Sequence, residues 1–174
     1  TELKEMSKKM IEVEKKFLLK KEDEKKLVDG AEFLGEKVFT DIYYDTIDYS
    51  LTSNDNWLRC RAGKFELKLS LDKNGATRQG DFYEEVEDEN KIREILGISK
   101  DGEMEQVLES NGYLKFCICK TVRKKYKTGD FIIDVDHADF GDFNYDLAEI
   151  ELMIKDERET KYALGKIIEL AEVI

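Results

Sequence analysis

Residues 11–19 read IEVEKKFLL, and charged and apolar side chains alternate along this stretch. Glu12, Glu14 and Lys16 occupy every second position and leave most of the positions between them to apolar residues. Because successive side chains of a β-strand point to opposite faces, the stretch predicts a strand with one apolar face and one charged face. Two carboxylates at positions i and i+2 of one face repel each other, so this face predicts positive charge nearby.

The same alternation recurs along the chain and predicts eight strands. They are residues 11–19, 38–45, 57–62, 64–71, 81–87, 115–126, 130–137 and 147–154. Helical patterns fill the gaps, at residues 23–29, 88–97, 99–112 with Ser99 as N-cap, and 156–174. Hairpin turns are expected at Asn74-Gly75 and at Gly129, because these residues tolerate positive φ. The sequence therefore predicts a single α+β domain over residues 1–174, dominated by antiparallel strands, with the helices packed outside.

Nearly every predicted strand has a charged face, and the charges on it come in pairs of like sign. The acidic pairs are at positions 12 and 14, 85 and 87, 134 and 136, and 149 and 151, and the basic pairs are at 59 and 61, and 123 and 125. One interpretation is a sheet with one solvated face. Solvated faces usually mix residue types, however, whereas like charges about 7 Å apart repel and need opposite charge. We therefore predict a closed eight-stranded antiparallel β-barrel with a charged lumen and outward apolar faces.

A lumen of this kind suits a polyphosphate bound together with a divalent cation. Guanidinium groups match phosphate oxygens, and carboxylates are the ligands that Mg²⁺ and Mn²⁺ prefer. The chain has no G-x-x-x-x-G-K-[ST] motif, which excludes a P-loop nucleotide hydrolase. Its single histidine, His137, falls on the face opposite Asp134 and Asp136, so a Ser-His-Asp triad is excluded, and His137 is interpreted as a structural or a solvent-exposed residue.

The composition excludes further classes of partner. The chain has 29 basic and 40 acidic residues among 174, and this net charge of −11 argues against nucleic acid or an anionic membrane. No apolar run approaches the ~18 residues of a membrane span, and the N-terminus does not resemble a signal peptide, so we expect a cytoplasmic monomer. Three cysteines without metal-ligand spacing are expected to be reduced thiols. Residues 1–5 are interpreted as a candidate cloning remnant, because the first residue is not methionine.

The stretch IEVEKKF resembles the E-x-E-x-K signature of the CYTH superfamily. Further segments are similar to those of its thiamine triphosphatases, in the same order over residues 11–154: DIYYDTIDYSLTSNDNWLRCR, FELK, FYEEV, VRKKY and DVDHADFGDFNYDLAEIE. The resemblance implies the triphosphate tunnel fold, an eight-stranded antiparallel barrel that binds triphosphates with divalent metal. It also implies hydrolysis of a terminal phosphoanhydride bond.

The resemblance implies roles for the residues at matching positions. Those implied to hold the triphosphate oxygens are Lys16, Arg59, Arg61, Lys68 and Arg123, to which the paired basic face adds Lys125. Those implied to hold a catalytic Mg²⁺ or Mn²⁺ are Glu12, Glu14, Asp134, Glu149 and Glu151, with Glu85 and Asp136 beside them.

The implied catalytic pair is Lys16 with Tyr43. A lysine among several other cations is expected to have a lowered pKa, which would allow Lys16 to act as a general base. Trp57 is implied to contact a thiazolium ring, since a cationic ring is attracted to the face of an indole. The alternative for Trp57 is an ordinary residue of the core or the rim.

Several activities stay open at this point. Thiamine triphosphatase activity is favoured by Trp57 and by the run over residues 41–61. An inorganic tripolyphosphatase or nucleoside triphosphatase on the same scaffold is favoured by the end of the chain soon after the last predicted helix. The family patterns also have tryptophan where this chain has Phe65 and Tyr126. An adenylyl cyclase is a further alternative, and a non-catalytic polyphosphate-binding module would be favoured by a missing metal carboxylate.

Overall fold

The computed structural model describes residues 10–71 and 81–174, and within them the chain forms eight strands and four α-helices. The strands are β1 (Ile11–Leu18), β2 (Glu32–Asp45), β3 (Trp57–Arg61), β4 (Lys64–Ser70), β5 (Asp81–Val86), β6 (Leu114–Thr128), β7 (Phe131–Asp139) and β8 (Asn144–Ile154). The helices are α1 (Glu24–Leu27), α2 (Glu89–Leu96), α3 (Met104–Ser110) and α4 (Thr160–Ala171), with 3-10 turns at Thr52–Asn54 and Glu157–Glu159. No helix among the described residues has the length and apolar character needed to cross a membrane.

The strands close into one barrel in the order β1-β5-β4-β3-β2-β6-β7-β8. Every neighbouring pair is antiparallel, and β8 pairs back onto β1 with Lys16 opposite Glu149. The predicted eight-stranded antiparallel barrel is therefore confirmed. Closure removes the sheet edges and gives every strand one face toward a shared interior.

The apolar faces point outward, and the helices cover much of them, whereas Val38 of β2 and Ile118 of β6 stay exposed. Helix α4 places Leu164 and Ile167 in a buried cluster with Val13 of β1, Ile133 of β7 and Ile150 of β8. Each fully buried side chain of this type contributes about 1.5–3 kcal/mol. On the opposite side of the barrel, α2 and α3 build a second cluster over β3, β4 and β5. The core thus lies between barrel and helices and leaves the lumen to the charged faces.

The predicted start of β2 was wrong, although its predicted end at residue 45 was right. We expected residues 38–45, but the strand begins at Glu32 and pairs with β6 from there onward. The register shifts between Phe33 and Gly35, and this irregularity places an extra residue in β2. A bulge of this kind breaks the alternation of side chains, so the pattern could not show where the strand begins.

The predicted start of α3 was also wrong. The helix begins at Met104 after the N-cap residue Glu103, and Ser99 does not cap it. The backbone carbonyls of Ser99 and Gly102 instead accept hydrogen bonds from buried Arg93, each at 2.8 Å. The turn at Gly129 is confirmed by its φ of 56° between β6 and β7. The turn predicted at Asn74-Gly75 lies outside the described residues.

Candidate active site

The barrel encloses a cavity of about 730 Å³, within the usual range for small-molecule sites. The cavity wall includes most of the residues that the sequence singles out: Glu12, Glu14, Lys16, Tyr43, Trp57, Arg59, Arg61, Lys68, Glu85, Arg123, Asp136, Glu149 and Glu151. Asp134 and Lys125 are not part of this wall. They lie next to it, where Asp134 binds Lys125 at 3.0 Å and Arg123 at 2.7 Å.

Two lysines hold the carboxylates of β1 inside the lumen. The Lys68 Nζ lies 3.0 Å from Glu12 and 3.2 Å from Glu14. The Lys16 Nζ lies 2.5 Å from Glu14 and 2.9 Å from Glu149 of β8. The repulsion between the two glutamates of β1 is therefore offset by cations that β4 and β1 itself supply. Since side chains at i and i+2 share a face, the sequence of β1 indicated this need for positive charge.

Three arginines bind carboxylates across the barrel wall. Arg61 forms a bidentate pair with Asp41, at 2.6 and 2.7 Å. Arg123 forms a second bidentate pair, with Asp136 at 2.8 and 2.7 Å. Arg59 binds Glu66 of the neighbouring strand at 2.7 Å. Paired N–H donors of this kind are the geometry that guanidinium groups offer to a carboxylate or to a phosphate.

Sequence reasoning missed Asp41, which is only 4% exposed and lies on the cavity wall. A signal was present, because Phe39, Asp41 and Tyr43 alternate along β2 and share its inner face. The Arg61 guanidinium lies 3.7 Å from the centre of the Phe39 ring. Phe39, which shares this inner face with Asp41, therefore helps to orient Arg61.

Within residues 10–71 and 81–174, three groups of carboxylates could hold a metal ion, each with one oxygen per residue within 4.8 Å of the others. The groups are Glu12, Glu14 and Glu149; Asp134, Glu149 and Glu151; and Glu66, Glu85 and Glu87. Glu149 belongs to the first two, which are largely buried, whereas Glu87 of the third is exposed. The Asp134 Oδ1 is buried and accepts no hydrogen bond of good geometry, although the Lys125 Nζ is 3.0 Å away. A set of carboxylate oxygens that includes a buried oxygen without a good hydrogen bond fits a hard divalent cation.

Burial and neighbouring charge shift the pKa of several lumen groups. Burial, followed by a hydrogen bond to Glu12 and repulsion from its carboxylate, raises the pKa of Glu151 to about 8. For Lys68, burial alone lowers the pKa, but attraction by Glu14 and Glu12 outweighs burial and raises it. Glu151 therefore holds a proton at neutral pH in this arrangement, while Lys68 stays charged.

The lowered pKa expected for Lys16 was wrong. Burial alone lowers this pKa, but attraction by Glu149 and Glu14 outweighs burial and raises it well above its ordinary value. The expectation assumed that the nearest charges are cations, whereas the nearest charges are these two carboxylates. The Lys16 side chain is 49% exposed, but this exposure is to the lumen. The two carboxylates paired with Lys16 therefore decide the direction in which its pKa shifts.

The two predicted aromatic residues line the same cavity. Tyr43 and Trp57 meet edge to face, with ring centroids 6.0 Å apart. The Trp57 Nε1 donates a 2.8 Å hydrogen bond to Asp55, which also accepts one from the Tyr83 hydroxyl at 2.9 Å. This shared acceptor, which sequence reasoning missed, fixes the plane of the indole. Burial and then Asp41 raise the pKa of Tyr43, so its hydroxyl keeps its proton at neutral pH.

The remaining residues of interest lie away from this chemistry. His137 is exposed and its Nδ1 lies 2.8 Å from Asp146 Oδ1, which agrees with a structural role. The three cysteines are free thiols. Cys117 and Cys119 nevertheless face the lumen, since β6 places them on its inner side.

A closed antiparallel barrel with carboxylates and cations paired on its inner face defines the class of tunnel-forming barrels with an ionic interior. Within this class the chain belongs to the CYTH domain family, whose family model matches residues 10–174. It is 31% identical to the thiamine-triphosphatase of Macaca fascicularis over 186 positions, which cover 97% of this chain and 79% of that protein. The human thiamine-triphosphatase is 28% identical over 185 positions, with the same coverage.

A solved structure shares the fold. The PH1819 protein of Pyrococcus horikoshii OT3 superposes with a TM-score of 0.65 at 22% identity. The match covers 93% of this chain and 89% of that one. The comparison supports the barrel architecture of the chain.

Proposed function

We propose that this protein is a metal-dependent triphosphate hydrolase whose organic substrate is thiamine triphosphate, which it converts to thiamine diphosphate and phosphate. The observation that carries the proposal is the convergence of cations and carboxylates on one enclosed lumen of about 730 Å³. The cationic members of the wall are Lys16, Arg59, Arg61, Lys68 and Arg123. The name of the two mammalian relatives supports the choice of substrate.

The cationic side chains of the lumen would bind the phosphate oxygens. Arg59, Lys68 and Arg123 each hold a carboxylate at 2.7–3.0 Å, the distance range of a hydrogen bond to phosphate. These side chains come from β3, β4 and β6, so they surround a chain of phosphates from different sides. The triphosphate would exchange places with carboxylates rather than enter an empty cationic site.

The carboxylates of the lumen explain why a divalent cation is part of the proposal. Among the described residues the wall has nine carboxyl groups against five cations, so even with Glu151 protonated a bare triphosphate would meet an excess of negative charge. Glu12, Glu14 and Glu149, or Asp134, Glu149 and Glu151, would hold the ion, for which we propose Mg²⁺ or Mn²⁺. When bound, such an ion supplies charge neutralisation of phosphate oxygens and a more acidic water.

In the proposed reaction, a water oxygen forms a bond to the terminal phosphorus while the bond from phosphorus to the bridging oxygen breaks. The bridging oxygen takes the electron pair of that bond and leaves as part of thiamine diphosphate, and the attacking water releases a proton to solvent as phosphate forms. Charge spreads over the peripheral phosphate oxygens in the transition state, so positioned cations supply most of the acceleration. Since its pKa is raised, Lys16 takes part in this proposal as a fixed cation near Glu149, and the general-base role is not retained.

A parallel assay of phosphate release from thiamine triphosphate, tripolyphosphate and ATP tests the proposal. We expect the highest kcat/KM with thiamine triphosphate and a loss of release from all three substrates in EDTA. A kcat/KM for tripolyphosphate well above that for thiamine triphosphate would contradict the choice of substrate. Zero release from all three would favour a polyphosphate-binding module instead.

A second candidate is an inorganic tripolyphosphatase of the same fold. The observation that favours it is that the cations and carboxylates of the described cavity wall suit phosphate and metal. Only the aromatic residues among the described wall residues are suited to contact an organic group. The contrast between thiamine triphosphate and tripolyphosphate in the same assay separates the two candidates.

A further inference from the structure

The hairpin between β7 and β8 carries three aromatic rings at one end of the cavity. Phe140, Phe143 and Tyr145 all line its wall. The centroids of the Phe140 and Phe143 rings are 4.8 Å apart with 14° between their planes. Tyr145 continues the arrangement, with its plane inclined by 22° to Phe140 and by 12° to Phe143. Near-parallel rings of this kind present flat faces on which a further ring can stack.

The hairpin that carries these rings is held in place by its own hydrogen bonds. The backbone N–H of Phe140 donates to the carbonyl of Phe143 at 2.9 Å. The side chain of Asp139 accepts a hydrogen bond from the N–H of Gly141 at 2.8 Å. Gly141 has a φ of 90°, which a residue with a Cβ rarely adopts. The rings are thus fixed before any ligand binds, although Phe143 stays 57% exposed and Tyr145 37% exposed.

A second aromatic wall lines the same cavity. It contains Trp57, Tyr43 and Phe116. Alternation along β6 would turn Phe116 outward, but the register shifts where Tyr43 pairs with Cys117 and Tyr44 with Lys115. This irregularity turns the Phe116 ring to the cavity, where its centroid lies 6.4 Å from that of Tyr43. The chain departs from regular strand geometry here and gains an aromatic ring at the cavity wall.

Both aromatic walls belong to the same end of the barrel. The start of β3, the start of β6 and the hairpin from β7 to β8 meet there, because neighbouring strands are antiparallel. The metal-capable group with Glu151 lies toward the other end, near the finish of β8. The lumen therefore changes along its length from carboxylates and cations to aromatic rings.

We propose that the stack of Phe140, Phe143 and Tyr145 is the binding platform for a flat cationic ring at the organic end of the triphosphate. This rests on the proposed function, whose substrate carries a cationic thiazolium ring next to its phosphates. Charge supports a cation over a neutral nucleobase: residues 128–154 contain no lysine or arginine, and Asp142 lies in the turn between the two phenylalanines. The nearby cation Lys16 is already paired with two carboxylates. Aromatic faces and acidic surroundings both attract a cationic ring. The platform is a specificity site that acts together with Trp57.

The test measures binding without turnover, with Ca²⁺ in place of Mg²⁺, once absence of phosphate release has been verified. Isothermal titration gives the Kd of thiamine triphosphate, ATP and tripolyphosphate for the unmodified protein, Phe143→Ala and Phe143→Tyr. Tyr162→Ala is the matched control, since Tyr162 is an exposed ring on α4 outside the cavity wall. We expect Phe143→Ala to weaken thiamine triphosphate about tenfold, as loss of a cation–π contact allows, and tripolyphosphate less than twofold.

Further results of these titrations would support or overturn the proposed platform. Retention of thiamine triphosphate affinity in Phe143→Tyr, together with its loss in Phe143→Ala, supports a role for the ring face. Equal weakening of all three ligands, or of none, overturns the platform, and equal weakening of ATP and thiamine triphosphate overturns its preference for a cation. If the unmodified protein binds thiamine triphosphate but never hydrolyses it with Mg²⁺ or Mn²⁺, the proposed function fails while the platform is still measured. If it does not bind thiamine triphosphate, both fail.

Discussion

Lys16 shows how much a single side chain depends on the partners that the barrel gives it. Its ammonium group lies between Glu14 and Glu149, which come from the two strands whose pairing closes the barrel. Because these carboxylates raise its pKa, Lys16 carries a full positive charge at neutral pH. With these carboxylates in place, Lys16 can stabilise charge on a phosphate, and its raised pKa makes it a poor proton acceptor.

Replacement of Lys16 by alanine tests this role. We expect Lys16→Ala to lower kcat for thiamine triphosphate at saturating Mg²⁺ by about a hundredfold, the usual effect of losing one preorganised charge partner. Lys120→Ala is the control, because Lys120 is exposed and is not part of the cavity wall. An unchanged kcat in Lys16→Ala would show that this ammonium group takes no part in the reaction.

Glu151 gives the protein without metal a predictable pH dependence. Its folded pKa of about 8 is above its ordinary value of 4.5, so the folded protein keeps a proton that the unfolded chain loses. The stability from this proton is complete below pH 4.5 and is lost as the pH rises to about 8. In EDTA we expect the Tm of the unmodified protein to fall over this range, and the fall to be smaller in Glu151→Gln. The same slope in both proteins would contradict the assignment.

At the scale of the element, α2 depends on one buried arginine for its connection to α3. Arg93 is 3% exposed and donates hydrogen bonds to the carbonyls of Ser99 and Gly102. It also binds Glu89 in the first turn of its own helix at 2.7 Å. One side chain thus satisfies the backbone of a loop that would otherwise hold unpaired carbonyls.

Loss of this arginine should destabilise the fold without changing the lumen. We expect Arg93→Ala to lower the free energy of unfolding by about 2–4 kcal/mol, since it leaves buried polar groups unpaired. Urea denaturation measures this change, with Lys91→Ala as an exposed control on the same helix. The KM for thiamine triphosphate should stay the same in the folded fraction. A loss below 0.5 kcal/mol, on the order of a neutral surface substitution, would contradict the account.

The strands show which parts of the fold can be predicted from sequence. Residues 57–62 and 64–71 were predicted almost as β3 and β4 occur, because charged and apolar residues alternate there without interruption. The start of β2 and the orientation of Phe116 could not be predicted, since each depends on a shift of register. Such a shift is decided by pairing with a distant strand and not by local sequence.

The candidate site shows a similar division. Which faces are charged follows from alternation, but which cation meets which carboxylate depends on how the strands are staggered around the barrel. The pairing of Arg61 with Asp41 joins positions 20 residues apart, and that of Lys68 with Glu12 joins positions 56 apart. The pKa of Lys16 was predicted in the wrong direction in part for this reason, because its partner Glu149 lies on β8, although Glu14 is only two positions away on β1.

At the scale of the whole molecule, the lumen carries more negative than positive charge. Among the residues that the structure describes, nine carboxyl groups line its wall: Glu12, Glu14, Asp41, Asp55, Glu66, Glu85, Asp136, Glu149 and Glu151. Five cationic side chains face them, and the chain as a whole has a net charge of −11. A polyanion would therefore be repelled unless a divalent cation accompanies it.

This excess of negative charge predicts linked binding of metal and polyphosphate. Tripolyphosphate should raise the Tm clearly when Mg²⁺ is present and hardly at all in EDTA. Ligand at a hundred times its Kd contributes about 2.7 kcal/mol to stability, which a thermal scan detects. Orthophosphate at matched ionic strength is the control for general salt effects. An equal rise in Tm with and without Mg²⁺ would show that the carboxylates do not hold a metal for this ligand.

The central claim is that the inside of the barrel binds the triphosphate. A crystal structure with tripolyphosphate and Mn²⁺, with the manganese located by its anomalous scattering, tests this claim most directly. The account predicts phosphates in contact with Arg59, Lys68 and Arg123, and manganese bound by carboxylates that include Glu149. Phosphates bound outside the barrel, with the ion pairs of the lumen unchanged, would contradict it.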